Sequence, residues 1–273
     1  MAKADTNAGG SVGRFQFRDV AVAYHTIGKG PPLLLLHGWG SRATVMLPLA
    51  KALADIRTCY VPDLPGFGET PPPGEPWSVD DYKEFVRTFS ENAIGVPTDV
   101  LAHSFGGRMT LKWAAESGSG DKLKKILITG GAGMKPRRTP SFYFRKSAAF
   151  ILKAPFLLLP AALKEKALAW LRKTAVWKQL GSSDYQKLEG VMRETFVRTV
   201  SEHLEPCLPH ISQEVLLLWG KEDAATPWYQ AERMEKGLKN GALVGIEGAG
   251  HYAFLDQPVR FLRIARAFFA AKG

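Results

Sequence analysis

Ser104 stands in the run Val100-Leu101-Ala102-His103-Ser104-Phe105-Gly106-Gly107, with a small residue two places before it (Ala102) and two after it (Gly106). An apolar run leads into this serine and a helical pattern leaves it. That spacing predicts a sharp strand-to-helix turn, where bulkier flanking side chains would collide with strand or helix. The pattern is G-x-S-x-G with alanine in the first place. A glycine-rich helix start capped by a serine is the competing account. The chemistry such a turn serves is nucleophilic. A serine hydroxyl is a weak nucleophile, so it needs a base, and the base needs an acid to orient it.

Six histidines are candidates for the base. His25 falls in a predicted edge hairpin, His203 and His210 in a helical stretch, and His103 next to the serine, where its side chain is expected to point elsewhere. His37 ends a strand before a glycine and suits packing or a loop hydrogen bond. His251, in Glu247-Gly248-Ala249-Gly250-His251, follows a late strand, and its flanking glycines let a loop carry it over the sheet. For the acid, Asp223 in Trp219-Gly220-Lys221-Glu222-Asp223 is preferred to Glu222, because it lies deeper in the turn that precedes Pro227.

These residues need elements to position them. Arg14 to Gly28 alternates like an antiparallel edge hairpin, and Pro32 to Leu36 is an apolar run suited to a strand buried on both faces. Strand and helix patterns then alternate: helix from Ala43, strand at Thr58 to Val61, helix from Val79, strand at Thr98 to Ala102, helix from Gly106, strand at Leu123 to Thr129. Such alternation predicts a parallel sheet covered on both faces. It stops between Met134 and Ser212, where the chain reads as several short helices broken by prolines, and resumes at Val215 with two more strands and two helices. The expected organisation is a tail over 1–13, a sheet domain over 14–133 and 213–273, and a helical insertion over 134–212.

The chain order Ser104, Asp223, His251 resembles that of the α/β-hydrolase fold. His37-Gly38-Trp39-Gly40 looks like the family's oxyanion loop, and Asp63-Leu64-Pro65-Gly66-Phe67-Gly68 resembles its D-x-x-G-x-G turn. The motifs span nearly the whole chain, and the insertion sits where the family places a cap. The resemblance implies a mostly parallel eight-stranded sheet flanked by helices, with a helical cap after the sixth strand. The family's other place for the acid, after the strand ending at Thr129, reads Gly130-Gly131-Ala132 and holds no carboxylate. Likeness to the capped esterase and lyase branch implies oxyanion donors at the backbone N–H groups of Trp39 and Phe105.

The expected activity is carboxylic ester hydrolysis through an acyl-serine, on a small to medium apolar ester. His37, Arg108, Phe142, Phe144, Trp170 and Tyr252 are candidates for the pocket lining, with Phe142, Phe144 and Trp170 otherwise serving the cap's own core. Ser104-Phe105-Gly106-Gly107-Arg108 also matches the S-x-G-G-R of a menaquinone-pathway lyase, in which the arginine helps bind an anionic substrate; a helix-surface role is the competing account of Arg108. A lactonase, thioesterase or C–C hydrolase on the same triad, and a silent binding protein of the same fold, are further alternatives.

Composition narrows the remaining classes. The 273 residues are 45% hydrophobic, which excludes a disordered chain, and two cysteines supply neither a disulfide framework nor a four-thiolate zinc site. No His, Cys, Asp or Glu pair stands at metal-ligand spacing, and Gly28-Lys29-Gly30-Pro31 precedes a strand instead of opening a helix, so no metal or cofactor is expected. The first 13 residues lack an apolar h-region, which points to a cytoplasmic protein. The net charge of +10 has an address: 134–212 holds 14 Lys and Arg against 6 acids, or +8, leaving +2 elsewhere. A basic cap on a nearly neutral domain argues against nucleic acid as partner. It suits solubility, steering of anionic substrates, or weak association with a membrane surface without insertion.

Overall fold

A computed structural model describes residues 10–137, 140–157, 159–160, 163–164, 166–167, 170–171, 174 and 188–270, with the side chains of 140–146, 149 and 157 left undescribed. Eight strands form one sheet: β1 Ser11–Phe17, β2 Val20–Gly28, β3 Pro32–Leu36, β4 Thr58–Pro62, β5 Thr98–His103, β6 Leu123–Thr129, β7 Glu214–Gly220 and β8 Gly241–Ile246. Their order is β1-β2-β4-β3-β5-β6-β7-β8. β2 pairs antiparallel with β1 and β4, and all other pairs are parallel.

The continuous apolar runs follow from burial on both faces. Leu34, Leu36, Val100, Ala102, Ile126, Ile128, Val215 and Leu217 face one core, shared with α2 Val79–Phe89 and α3 Phe105–Ala114. Their neighbours Leu33, Leu35, Leu101, Leu127, Leu216 and Leu218 face the other, covered by α1 Ala43–Leu53 and the closing helix Pro258–Ala270. α2 starts at a capping box, in which Ser78 Oγ accepts from the Asp81 N–H while the Asp81 carboxylate accepts from the Ser78 N–H.

Two expectations need correction. Residues 11–13 belong to β1, not to a tail, because their backbone pairs with Thr26, His25 and Tyr24 of β2. An exposed edge strand needs little apolar alternation, so that pairing left no pattern. Between β6 and β7, the first helix, α4 Pro140–Leu157, is longer than the prolines predict, since Pro155 falls in its last turn and costs no full break. Leu171 packs there with Leu152 and Phe156 in a small cluster of its own. α5 Gly190–Ser201 follows, and Leu204, Leu208 and Ile211 then join the main core. The Leu204 N–H donates to the Gly133 carbonyl at 2.8 Å, so the two ends of this excursion meet. After β7 come α6 Trp228–Gly237 and, past β8, α7 Ala253–Asp256 and α8 Pro258–Ala270. No described helix is long and apolar enough to cross a membrane.

Candidate active site

Ser104 links β5 to α3 with φ 49° and ψ −107°, a conformation that L-residues adopt only under constraint. Three backbone hydrogen bonds impose it: the Ser104 N–H donates to Thr129 O (3.0 Å), and the Ser104 carbonyl accepts from the N–H groups of Gly107 (3.0 Å) and Ala132 (3.1 Å). The small residue after the serine is needed where expected. A Cβ at Gly106 would lie 2.7 Å from Leu36 Cβ and 2.8 Å from Leu36 O, so only glycine lets α3 start this close to β3.

His251 Nδ1 lies 2.8 Å from Asp223 Oδ2. Asp223 is buried, and its carboxylate also accepts from the Thr226 hydroxyl (2.7 Å) and from the N–H groups of Ala225 and Thr226 (both 2.8 Å). Burial alone would raise its pKa, but the bonds from His251 and Thr226 prevail and hold it below the usual carboxylate value. An ionised Asp223 fixes the proton on His251 Nδ1 and leaves Nε2 as the basic nitrogen. Gly130, at φ 57°, makes room for this ring, since a Cβ there would lie 2.9 Å from His251 Nδ1.

Two more histidines brace the site as neutral rings. His103 Nε2 is 3.1 Å from the His251 carbonyl, which only an N–H can satisfy, and its ring centroid lies 4.8 Å from that of His251. Burial, with the nearby His251 adding to it, lowers the His103 pKa to about 3. His37 Nε2 accepts from the Leu64 N–H (3.0 Å), so its proton sits on Nδ1, 2.8 Å from the Gly38 carbonyl. Burial lowers the His37 pKa to about 4. His37 thereby ties the loop after β3 to the turn after β4. Asp63 closes that turn, accepting from the N–H groups of Ala43 (2.5 Å) and Glu69 (2.9 Å).

Ser104 and His251 open onto one cavity of about 530 Å³, lined also by Trp39, Phe105, Arg108, Phe196, Thr199, Val200, Thr226 and Tyr252, among others. Neither the Trp39 nor the Phe105 backbone N–H meets an acceptor among the described residues. No hydrogen bond joins Ser104 Oγ to His251 either, a contact that in ligand-free enzymes commonly tightens on substrate binding. Arg108 is only 8% exposed. Its guanidinium donates to the carbonyls of Glu202 (2.7 Å) and Val200 (3.5 Å), at the C-terminal end of α5. Burial lowers its pKa to about 10, so it stays a cation, and no described carboxylate lies within ion-pair distance of it.

A strained hydroxyl, an imidazole with its tautomer set by a buried carboxylate, and two open N–H donors around one cavity are the parts that acyl transfer requires. The family model described as "Alpha/beta hydrolase family" matches residues 33–264. The chain belongs to the alpha/beta hydrolase family. Relatives within it include a pimeloyl-[acyl-carrier protein] methyl ester esterase of Nitrosomonas europaea, 23% identical over 89% of this chain and 97% of the relative. A 2-hydroxy-6-oxo-2,4-heptadienoate hydrolase of Pseudomonas putida is 22% identical over 98% of this chain and 99% of its own. Among solved structures, a membrane phospholipase A described as a bacterial virulence factor superposes with a TM-score of 0.72 and 26% identity, covering 96% of this chain and 86% of the other.

Within this alpha/beta hydrolase, several of the expected pocket residues lie elsewhere. His37 is buried behind the loop and does not line this cavity, and both its ring nitrogens serve backbone contacts. Trp170 is 63% exposed and also absent from the lining. The side chains of Phe142 and Phe144 lie outside the described residues. Arg108 and Tyr252 do line the cavity, and Arg108 is not the helix-surface residue its competing account made it. Thr226, His103, Phe196, Thr199 and Val200 were missed. Asp223-Ala224-Ala225-Thr226 carried a readable signal, an aspartate followed three places later by a hydroxyl. The others carried none, because they depend on how α5 and the His251 loop dock. No group of side chains able to hold a metal is found among the described residues.

Proposed function

We propose that this hydrolase cleaves carboxylic esters through an acyl-enzyme on Ser104. His251 Nε2 takes the Ser104 hydroxyl proton as Oγ attacks the ester carbonyl, and the Trp39 and Phe105 N–H groups receive the resulting oxyanion. The intermediate collapses, the C–O bond breaks, and the alcohol leaves with the proton held by His251. Water then attacks the acyl-serine by the same route, releasing the acid and restoring Ser104. The observation that carries this reading is His251, bonded to the buried Asp223, facing the same cavity as a serine held at φ 49°. In it, the helical stretch between β6 and β7 is the cap, and α5 supplies Phe196, Thr199 and Val200 to the apolar wall of the pocket.

The test is hydrolysis of short p-nitrophenyl esters by wild type and Ser104→Ala. The variant is expected to lose at least about 10³-fold in kcat, in line with removal of a nucleophile. Wild-type rates in Ser104→Ala would sink the proposal.

Arg108 favours a second reading, in which the substrate carries a carboxylate. A buried cation at the cavity wall that bonds carbonyls, and meets the Glu202 and Glu205 charges only beyond ion-pair distance, suits an anionic substrate group. The lyase-like Ser104-Phe105-Gly106-Gly107-Arg108 points the same way. Dicarboxylate substrates separate the two: elimination of pyruvate marks the lyase, and release of an alcohol marks the esterase.

A further inference from the structure

Eleven large apolar side chains are exposed among the described residues, and five of them (Phe150, Ile151, Leu159, Leu163 and Trp170) fall between β6 and β7 within one short stretch. Leu152 and Phe156 of α4 pack inward on Leu171, while Phe150 and Ile151 are 65% and 68% exposed. Further on, residues 163, 164, 166, 167, 170 and 171 are helical. There Leu171 is buried, and Leu163, Lys166 and Trp170 are exposed. Leu171 and α4 thus meet over a small core while large apolar side chains nearby in the chain stay uncovered, a pattern that marks a contact surface.

The charge says what covers it. Residues 140–174 hold seven Lys and Arg (145, 146, 153, 164, 166, 172, 173) and one acid, Glu165. A second copy of this chain would bring the same positive charge against it, which opposes self-association. Exposed apolar side chains in a cation-rich stretch, with a tryptophan among them, suit a surface lying against anionic lipid.

We propose that the exposed face carrying Phe150, Ile151, Leu163, Lys166 and Trp170 docks this protein peripherally on anionic bilayers. The docking is independent of the reaction assigned to Ser104. Vesicle co-sedimentation of the full chain tests it, using phosphatidylcholine vesicles with and without phosphatidylglycerol in low and high salt. Wild type is expected to sediment with the phosphatidylglycerol vesicles in low salt, and about tenfold less with neutral vesicles or in high salt. The double variants Phe150→Ser/Ile151→Ser and Lys164→Glu/Lys166→Glu are each expected to weaken binding about tenfold or more, with circular dichroism and thermal midpoint unchanged. The second pair leaves the apolar side chains in place and serves if the first fails to fold. Wild type left in the supernatant, equal binding to neutral and anionic vesicles, or wild-type binding by the charge-reversed variant overturns the proposal. A dimer in sedimentation velocity that Phe150→Ser/Ile151→Ser disperses would also overturn it, assigning the face to a second copy.

Discussion

Asp223 accepts four hydrogen bonds, and two of them, from His251 Nδ1 and the Thr226 hydroxyl, converge on the same oxygen. Thr226 therefore acts through the carboxylate as a positioning residue. Thr226→Val keeps the backbone N–H bond but removes the hydroxyl. The expected result is about a tenfold fall in kcat with KM little changed, the rate equivalent of part of a charge-assisted hydrogen bond. Thr226→Ser should restore it, and unchanged kinetics in the valine variant would remove Thr226 from the machinery. Ser104 offers a stability test of its own. Its φ of 49° costs any residue bearing a Cβ, whereas glycine adopts it freely. Ser104→Gly is accordingly expected to unfold at higher denaturant than Ser104→Ala, by about 1 kcal/mol, although both lack the hydroxyl. The reverse order in urea titrations would show that the three backbone bonds leave the turn unstrained.

The turn between β5 and α3 depends on a close approach of the helix start to β3. Gly106→Ala would press its Cβ against the Leu36 backbone, whereas Gly107→Ala would meet the Ile128 side chain at 3.3 Å and backbone only at ordinary contact distance. Gly106→Ala should thus lose about 1–3 kcal/mol of stability together with activity, and Gly107→Ala markedly less. Thermal melts and ester turnover of the pair check this, and equal losses would refute the packing account. Elements of this kind were legible in the chain because strands buried on both faces read as Leu-Leu-Leu-Leu or Val-Leu-Leu-Leu-Trp, and because Ser104, Asp223 and His251 each sit in a local motif. Long-range docking was not legible. Phe196, Thr199 and Val200 reach the cavity because Arg108 holds the end of α5, because Lys112 pairs with Glu202 (2.6 Å), and because Arg198 bonds to the Pro76 carbonyl (2.8 Å). No periodicity within α5 encodes those three contacts. His37 was misplaced for the same reason, since its partner Leu64 lies on another turn.

Over the whole molecule, the two neutral buried histidines set the response to acid. Their folded pKa values, about 4 for His37 and about 3 for His103, lie below the ordinary 6.5. The unfolded chain therefore binds more protons as pH falls below 6.5, so their stabilisation is complete above that pH and is lost on the way down to 4 and 3. Between pH 7 and pH 5 each is expected to cost about 2 kcal/mol. Guanidinium unfolding at the two pH values measures the sum, and His103→Gln should remove roughly half of the difference. An unchanged difference in that variant would mean that His103 titrates freely. The hydrogen bond between Leu204 and Gly133 has a different kind of consequence. Where an excursion leaves and rejoins a domain at one point, its length can change without moving the strands on either side. Exchange of everything between Gly133 and Leu204 can change what enters the cavity from one side while Ser104, Asp223 and His251 are inherited in place. In such a chain, recognition can diverge faster than reaction.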